Sequence, residues 1–241
     1  MSDEALEVRG GRSVRLYTQE RNPFSEKVAR GLAFKKIPFE RVIVSEPGEI
    51  AKLNPEEATL PVLEIDGERR GDSGAILEWL EVIFPEPALV SSDSKVAEAQ
   101  RSLATWSDSS FAFYWNRWLA TQEPEAEEGV EDDAGAFERV VSHIGRRLGL
   151  SARDTANDIR QAQVGDAIAR RLDDLVGLLG DRQFFHSETP SVADLAVLGM
   201  LLLVREGPIP GSREALEARP SLVAYLGRLE AATGGPRVEA A

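Results

Sequence analysis

Strand signals in this chain stop near residue 84, and every periodic segment beyond that point reads as helix. This asymmetry constrains the fold strongly, because a sheet confined to one end must be small and must bury its faces against helices. Residues 13–18 (SVRLYT) alternate with period 2, placing Val14 and Leu16 on one face. Pro23 then stands where a first helical turn tolerates it, and Phe24, Val28, Ala29, Leu32 and Ala33 form a helical stripe. Residues 39–44 are apolar and β-branched, a second strand in β-α-β order. Residues 61–65, Asp66-Gly67 and residues 68–70 read as a hairpin, because Asp-Gly accepts the positive φ angles of a two-residue turn. Ile76, Leu77, Leu80 and Phe84 return to helical spacing. A linker of composition FPEPALVSSD follows at 84–93, and helical patterns then cover 95–120, 137–148, 155–179, 192–205 and 222–232.

Composition bounds the function. Of 241 residues, 42% are hydrophobic and 29% charged, which is ordinary for a globular protein and excludes global disorder. The absence of cysteine removes disulfides, thiolate metal sites and cysteine nucleophiles together. Only two histidines are present, and neither His143 nor His186 has a ligand partner one helical turn away, so no metal is expected. A formal charge of −13 repels phosphate backbones and anionic lipid, which argues against nucleic-acid and membrane-surface partners. The apolar run 195–204 is too short to span a bilayer, and the first 13 residues lack the apolar core of a signal peptide. A soluble, cytoplasmic protein is expected.

Three motifs then line up in order. Arg21-Asn22-Pro23-Phe24-Ser25 follows the first strand and opens a helix; Leu60-Pro61-Val62-Leu63 begins a strand; Asp72-Ser73 begins the next helix. Followed by an all-helical region, this arrangement resembles the glutathione transferase superfamily over roughly residues 14–229. The stretch NPFSEKVARGLAFKKIPFE is most similar to tau- and omega-type segments with Ser-Pro-Phe or Cys-Pro-Phe, and the carboxy-terminal half is closer to bacterial and metaxin-like members. The resemblance implies an α/β thioredoxin-like thiol-binding domain at 13–84, a linker at 85–93 and an all-α helical-bundle domain at 94–232. It also implies a homodimer.

The resemblance further implies the roles of single residues. Glutathione, or another low-molecular-weight thiol, would be held by Phe24, Thr59, Leu60, Pro61, Asp72 and Ser73. The backbone of Leu60, before a cis Pro61, would pair with the thiol peptide, and the helix start at Asp72-Ser73, capped by Ser73, would take a carboxylate. Asn22 stands where the family carries serine or cysteine, so a covalent thiol mechanism is excluded and Asn22 becomes a hydrogen-bond donor that favours thiolate over thiol. Ser25 is an assisting hydroxyl, Arg21 a nearby charge, and Tyr17 an alternative donor. Trp106, Phe111 and Tyr114, on the first helix of the second half, are candidates for an apolar electrophile surface. Ser191 and Asp194 fit a capping box with no chemical role. The competing reading is a catalytically silent binding or assembly protein on the same fold. The acidic loop 122–133 and the arginine-rich stretch after it have no readable role beyond a solvated face.

Overall fold

A computed structural model describes residues 12–19, 22–119 and 152–234. Four strands, β1 (Val14–Thr18), β2 (Glu40–Ile43), β3 (Val62–Ile65) and β4 (Glu68–Arg70), form a mixed sheet in the order β2-β1-β3-β4. β1 pairs parallel with β2, while β1–β3 and β3–β4 are antiparallel. The parallel pair requires a crossover, supplied by helix α1 (Pro23–Phe34). The Asp66-Gly67 turn has φ of 52° and 86°, the geometry that its residue types admit at low cost. Helices α2 (Pro47–Leu53) and α3 (Ser73–Ile83) complete this part.

Beyond it come only helices: α4 (Ser94–Leu119), α5 (Ala152–Leu179), α6 (Val192–Glu206), α7 (Ser212–Glu217) and α8 (Pro220–Thr233). The expected strands and helices form where the patterning places them, and two short helices, α2 and α7, are additions. The expected helix at 137–148, His143 and the acidic loop 122–133 lie outside the described residues. Among the described residues no helix is long and apolar enough to cross a membrane.

Among the described residues the two larger of three hydrophobic clusters carry the fold, the third being Val44, Ile50, Leu60 and Val62. One joins the sheet face of Val14, Leu16, Leu63 and Ile65 to Val28, Leu32, Ile76 and Leu80, and it also takes Val192 and Leu195 from α6. The other is built within the helices around Leu172, Leu175, Val197, Leu201 and Tyr225. Helix α6 therefore belongs to both clusters and fastens the sheet to the helices. Its approach to α1 is close: a Cβ on Gly199 would lie 2.6 Å from the Pro23 carbonyl oxygen, so only glycine fits there.

The start of α6 is fixed by Asp194, which is fully buried. Its Oδ2 accepts from Ser191 N (2.9 Å) and Ser191 Oγ (2.7 Å), and its Oδ1 accepts from Phe185 N (2.9 Å) and Tyr225 Oη (2.9 Å). The expected capping box is thus present and extended by two further donors. Burial pushes the Asp194 carboxyl up despite these four donors, and burial beside Asp194 pushes the Tyr225 phenol well above its ordinary value.

Candidate active site

Strand register gathers three loops at one end of the sheet. β1 runs out at Thr18, and its partner Tyr17↔Val62 places Pro61 at the same level. β4 ends opposite Leu63, so Gly71 and Asp72 turn at that end as well. The loop before α1, the segment before β3 and the start of α3 therefore converge, as the order of the motifs predicts.

Asn22 is the N-cap of α1: its Oδ1 accepts from Ser25 N at 3.0 Å, and Pro23 occupies the first helical position. With Oδ1 engaged by the helix, the side-chain NH2 of this partly exposed residue is not used by the cap. Ser25 corrects the expectation of an assisting hydroxyl. It is 1% exposed, and its Oγ is buried without a hydrogen-bond partner among the described residues. Residues 25, 28, 29 and 32 share the buried face of α1, and the helix turns Ser25 inward with them. Phe24 is partly buried, and Arg21 lies outside the described residues.

The Leu60–Pro61 peptide is cis, and both residues are buried. Thr59 is exposed, its Oγ1 donating to Glu57 Oε2 at 3.4 Å. The loop is held by a residue absent from the sequence reading, Asn54, which is 8% exposed. Its Nδ2 donates to Thr59 O (3.2 Å) and its Oδ1 accepts from Glu57 N (3.3 Å). A Cβ on Gly71 would lie 2.7 Å from Asn54 Nδ2, so this glycine lets one buried amide brace both the loop before Pro61 and the entry to α3. Asn54-Pro55 with a glycine preceding Asp72 is the signal that was available.

At α3 a second correction applies. Asp72, not Ser73, is the N-cap: its Oδ1 accepts from Ala75 N at 2.8 Å, and Ser73 is the first helical residue, 5% exposed. Asp72 has φ of 59° and ψ of 121°, a costly conformation for a residue other than glycine. Ala58, one residue before Thr59, also has a positive φ, 50°. Two strained residues thus flank the converging loops. The alternative donor Tyr17 spends its hydroxyl on Glu64 Oε2 at 3.3 Å, beneath the Arg69 guanidinium.

The cleft at Asn22 is mixed, with charged side chains beside the apolar surfaces of Pro23, Leu202 and Leu203. It has a volume of about 230 Å³ and lies between the end of β1 (Thr18, Gln19), one side of α1 (Asn22, Pro23, Glu26, Arg30), Arg41 of β2, and Gly199, Leu202, Leu203, Arg205 and Glu206 of α6, with Glu230 of α8. Glu26 pairs with Arg30 (3.0 Å) and Arg41 (2.8 Å). Burial raises its carboxyl pKa, but the two guanidinium groups more than offset this and leave it below the ordinary value. Across the cleft Arg205 pairs with Glu230 (3.0 Å) and Glu206 (2.7 Å), which hold it protonated. Trp106 and Tyr114 line no part of this cleft. Both pack on the helical core, with the Arg171 guanidinium 5.7 Å from the Trp106 ring centre and its Nε donating to Tyr114 Oη at 3.4 Å. The Phe111 side chain lies outside the described residues.

A second, smaller cleft of about 170 Å³ lies between α3 and α4, with Gly74 on one wall and Asp108 on the other. Asp108 and Lys27 of α1 form a 2.6 Å ion pair, and the Lys27 side chain is 3% exposed. Burial raises the Asp108 carboxyl above its ordinary value although Lys27 opposes the shift.

The comparisons agree with this geometry. The family described as glutathione S-transferase, N-terminal domain, matches residues 16–88, the segment that supplies all three converging loops. Residues 16–88 are therefore the part of the chain that carries the glutathione S-transferase amino-terminal domain. The architecture as a whole, a thioredoxin-like unit plus a helical bundle, is the fold of solved glutathione transferases. The chain is 41% identical over 83 residues to a maleylacetoacetate isomerase of Dictyostelium discoideum, covering 31% of this chain and 37% of that protein. It is 35% identical over 101 residues to a maleylacetoacetate isomerase of Pseudomonas aeruginosa, covering 38% and 47%. The match thus spans less than half the length of either relative. A glutathione transferase homologue from Sulfitobacter, solved with bound glutathione, superposes with a TM-score of 0.66 over 92% of this chain and 95% of that one, at 17% identity.

Proposed function

We propose that this transferase-fold protein is an enzyme that binds glutathione, or another small thiol, at the three converging loops and activates its sulfur for attack on an electrophile. The observation that supports it best is the cap at Asn22: its Oδ1 holds α1, which leaves the NH2 free of that role and able to donate, at the same end of the sheet as the cis Leu60–Pro61 peptide. A thiolate accepting that N–H bond is favoured over the thiol, whose proton passes to water. A new carbon–sulfur bond then forms and the leaving group departs with its electron pair. In this reading Phe24, Thr59, Leu60, Pro61, Asp72 and Ser73 hold the peptide, within a thiol-binding domain at 13–84 joined by a linker at 85–93 to a helical domain at 94–232. The superfamily resemblance adds a homodimer and a cytoplasmic site of action.

The two relatives named maleylacetoacetate isomerase favour a second reading of the same site. There the thiol would be regenerated in each cycle, because an isomerase leaves the overall composition of its substrate unchanged. An ultraviolet titration of glutathione with the protein across pH tests both, since the thiolate absorbs where the thiol does not. Thiolate absorbance appearing at a pH where free glutathione is still protonated supports the enzyme. Binding without ionisation reduces the protein to a silent binder, and absence of binding removes the thiol altogether.

A further inference from the structure

The Asn22 cleft has a charge pattern that thiol activation does not use. On the α1–β2 wall two guanidinium groups, Arg30 and Arg41, share the carboxylate of Glu26, so the described residues give that wall an excess of one positive charge. On the facing α6–α8 wall one guanidinium, Arg205, is shared by Glu206 and Glu230, giving an excess of one negative charge. These bridges run within each wall. The groups keep contact with water, for the Arg41, Arg205 and Glu206 side chains are 33%, 34% and 55% exposed. The walls approach within side-chain reach, since a Cβ on Gly234 at the end of α8 would lie 3.8 Å from Arg30 Nη1. Between them lie the apolar surfaces of Pro23, Leu202 and Leu203.

We propose that this cleft is a binding site for a small zwitterion of the α-amino-acid type, its carboxylate on Arg30 and Arg41 and its ammonium on Glu206 and Glu230. A lone carboxylate would face the negative wall and a lone cation the positive one, so both charges are required on one short ligand. The apolar strip favours a hydrocarbon side chain. The cavity volume of about 230 Å³, below that of a drug-sized pocket, restricts the ligand to a small molecule. The assignment stands on the cleft and is independent of thiol ionisation.

The test is calorimetric titration of the full chain with L-phenylalanine, 3-phenylpropionate and phenethylamine, which share a skeleton and carry both charges, only the negative, or only the positive. Saturating glutathione is present throughout. The amino acid should bind at one site, with each single-charge analogue about tenfold weaker, as loss of one charge-assisted hydrogen bond implies. Glu206→Gln should weaken L-phenylalanine while leaving 3-phenylpropionate unchanged or tighter. Arg41→Gln should weaken both, with circular dichroism confirming that each variant is folded. Equal binding of the three ligands, no binding of L-phenylalanine, or unchanged affinity in both folded variants would overturn the assignment. So would competition by glutathione, which would make the cleft the seat of the thiol peptide itself. Thiolate absorbance is read separately, so failure here leaves the thiol reading standing, and the converse also holds.

Discussion

Asn22 serves two roles with different atoms, and two substitutions separate them. Oδ1 caps α1 through Ser25 N at 3.0 Å, while the NH2 is the proposed donor to a thiolate. Asn22→Ala removes both: the lost cap costs about 1 kcal/mol, a fall in melting temperature of about 2–4 °C for a chain of this size. A hydrogen bond to a charged acceptor is worth about 1.5–3 kcal/mol, so the bound thiol pKa should climb back by about one to two pH units toward the ordinary thiol value. Asn22→Asp keeps an oxygen for the cap and adds a negative charge at a helix N-terminus, so melting should be unchanged or higher. The same substitution replaces the donor by an anion, and the thiol pKa should rise at least as far as in the alanine variant. Differential scanning calorimetry and thiolate absorbance, run on the same three proteins, make the comparison. If Asn22→Asp keeps the wild-type thiol pKa, the side chain is a cap alone, and the sulfur is served by another group.

Other expectations follow from the packing. Asp194→Asn leaves one oxygen where two accept four hydrogen bonds, so two buried donors lose their acceptor, and chemical denaturation should show a loss of about 3 kcal/mol. For Lys27 and Asp108, Asp108→Asn strands a buried ammonium and should cost about 3–5 kcal/mol, whereas Lys27→Met/Asp108→Leu together should be far less costly; equal losses would show that the pair is not coupled. Ala58→Gly relieves a side chain held at φ of 50° and should raise stability by up to about 1 kcal/mol in the same assay. Glu26 has a folded pKa below its ordinary 4.5, so its contribution is complete above that value and is lost as pH falls through the lower, folded value; Arg41→Gln should flatten that acid limb of stability against pH.

What could be read from sequence was local. The hairpin announced itself through Asp66-Gly67, the first helix through Pro23 and its stripe, and the α6 cap through Ser191 and Asp194, because each signal lies within a few residues of its effect. Helices α2 and α7 escaped, for at seven and six residues they are too short to show a period. An assisting hydroxyl at Ser25 and a cap at Ser73 do not form, because residue type reveals neither which face a first helical turn buries nor which of two adjacent polar residues starts the helix. Asn54 escaped for a related reason: its importance arises only when Gly71, seventeen positions later, is folded against it.

The cleft shows why the polar site was the least legible part. Arg41, Arg205 and Glu230 stand on β2, α6 and α8, and nothing in their spacing links them. They meet because Gly199 lets α6 settle on the Pro23 carbonyl, and that contact depends on Pro23 opening α1 directly after Asn22. The short stretch that sets the Asn22 cap therefore also sets the distance between the two charged walls. A larger residue at Gly199 would push α6 from α1 by the overlap at a 2.6 Å contact, moving the Arg205 and Glu206 wall while leaving the Leu60–Pro61 and Asp72 loops in place. The cleft and the thiol loops are mechanically separable even though both begin at Asn22.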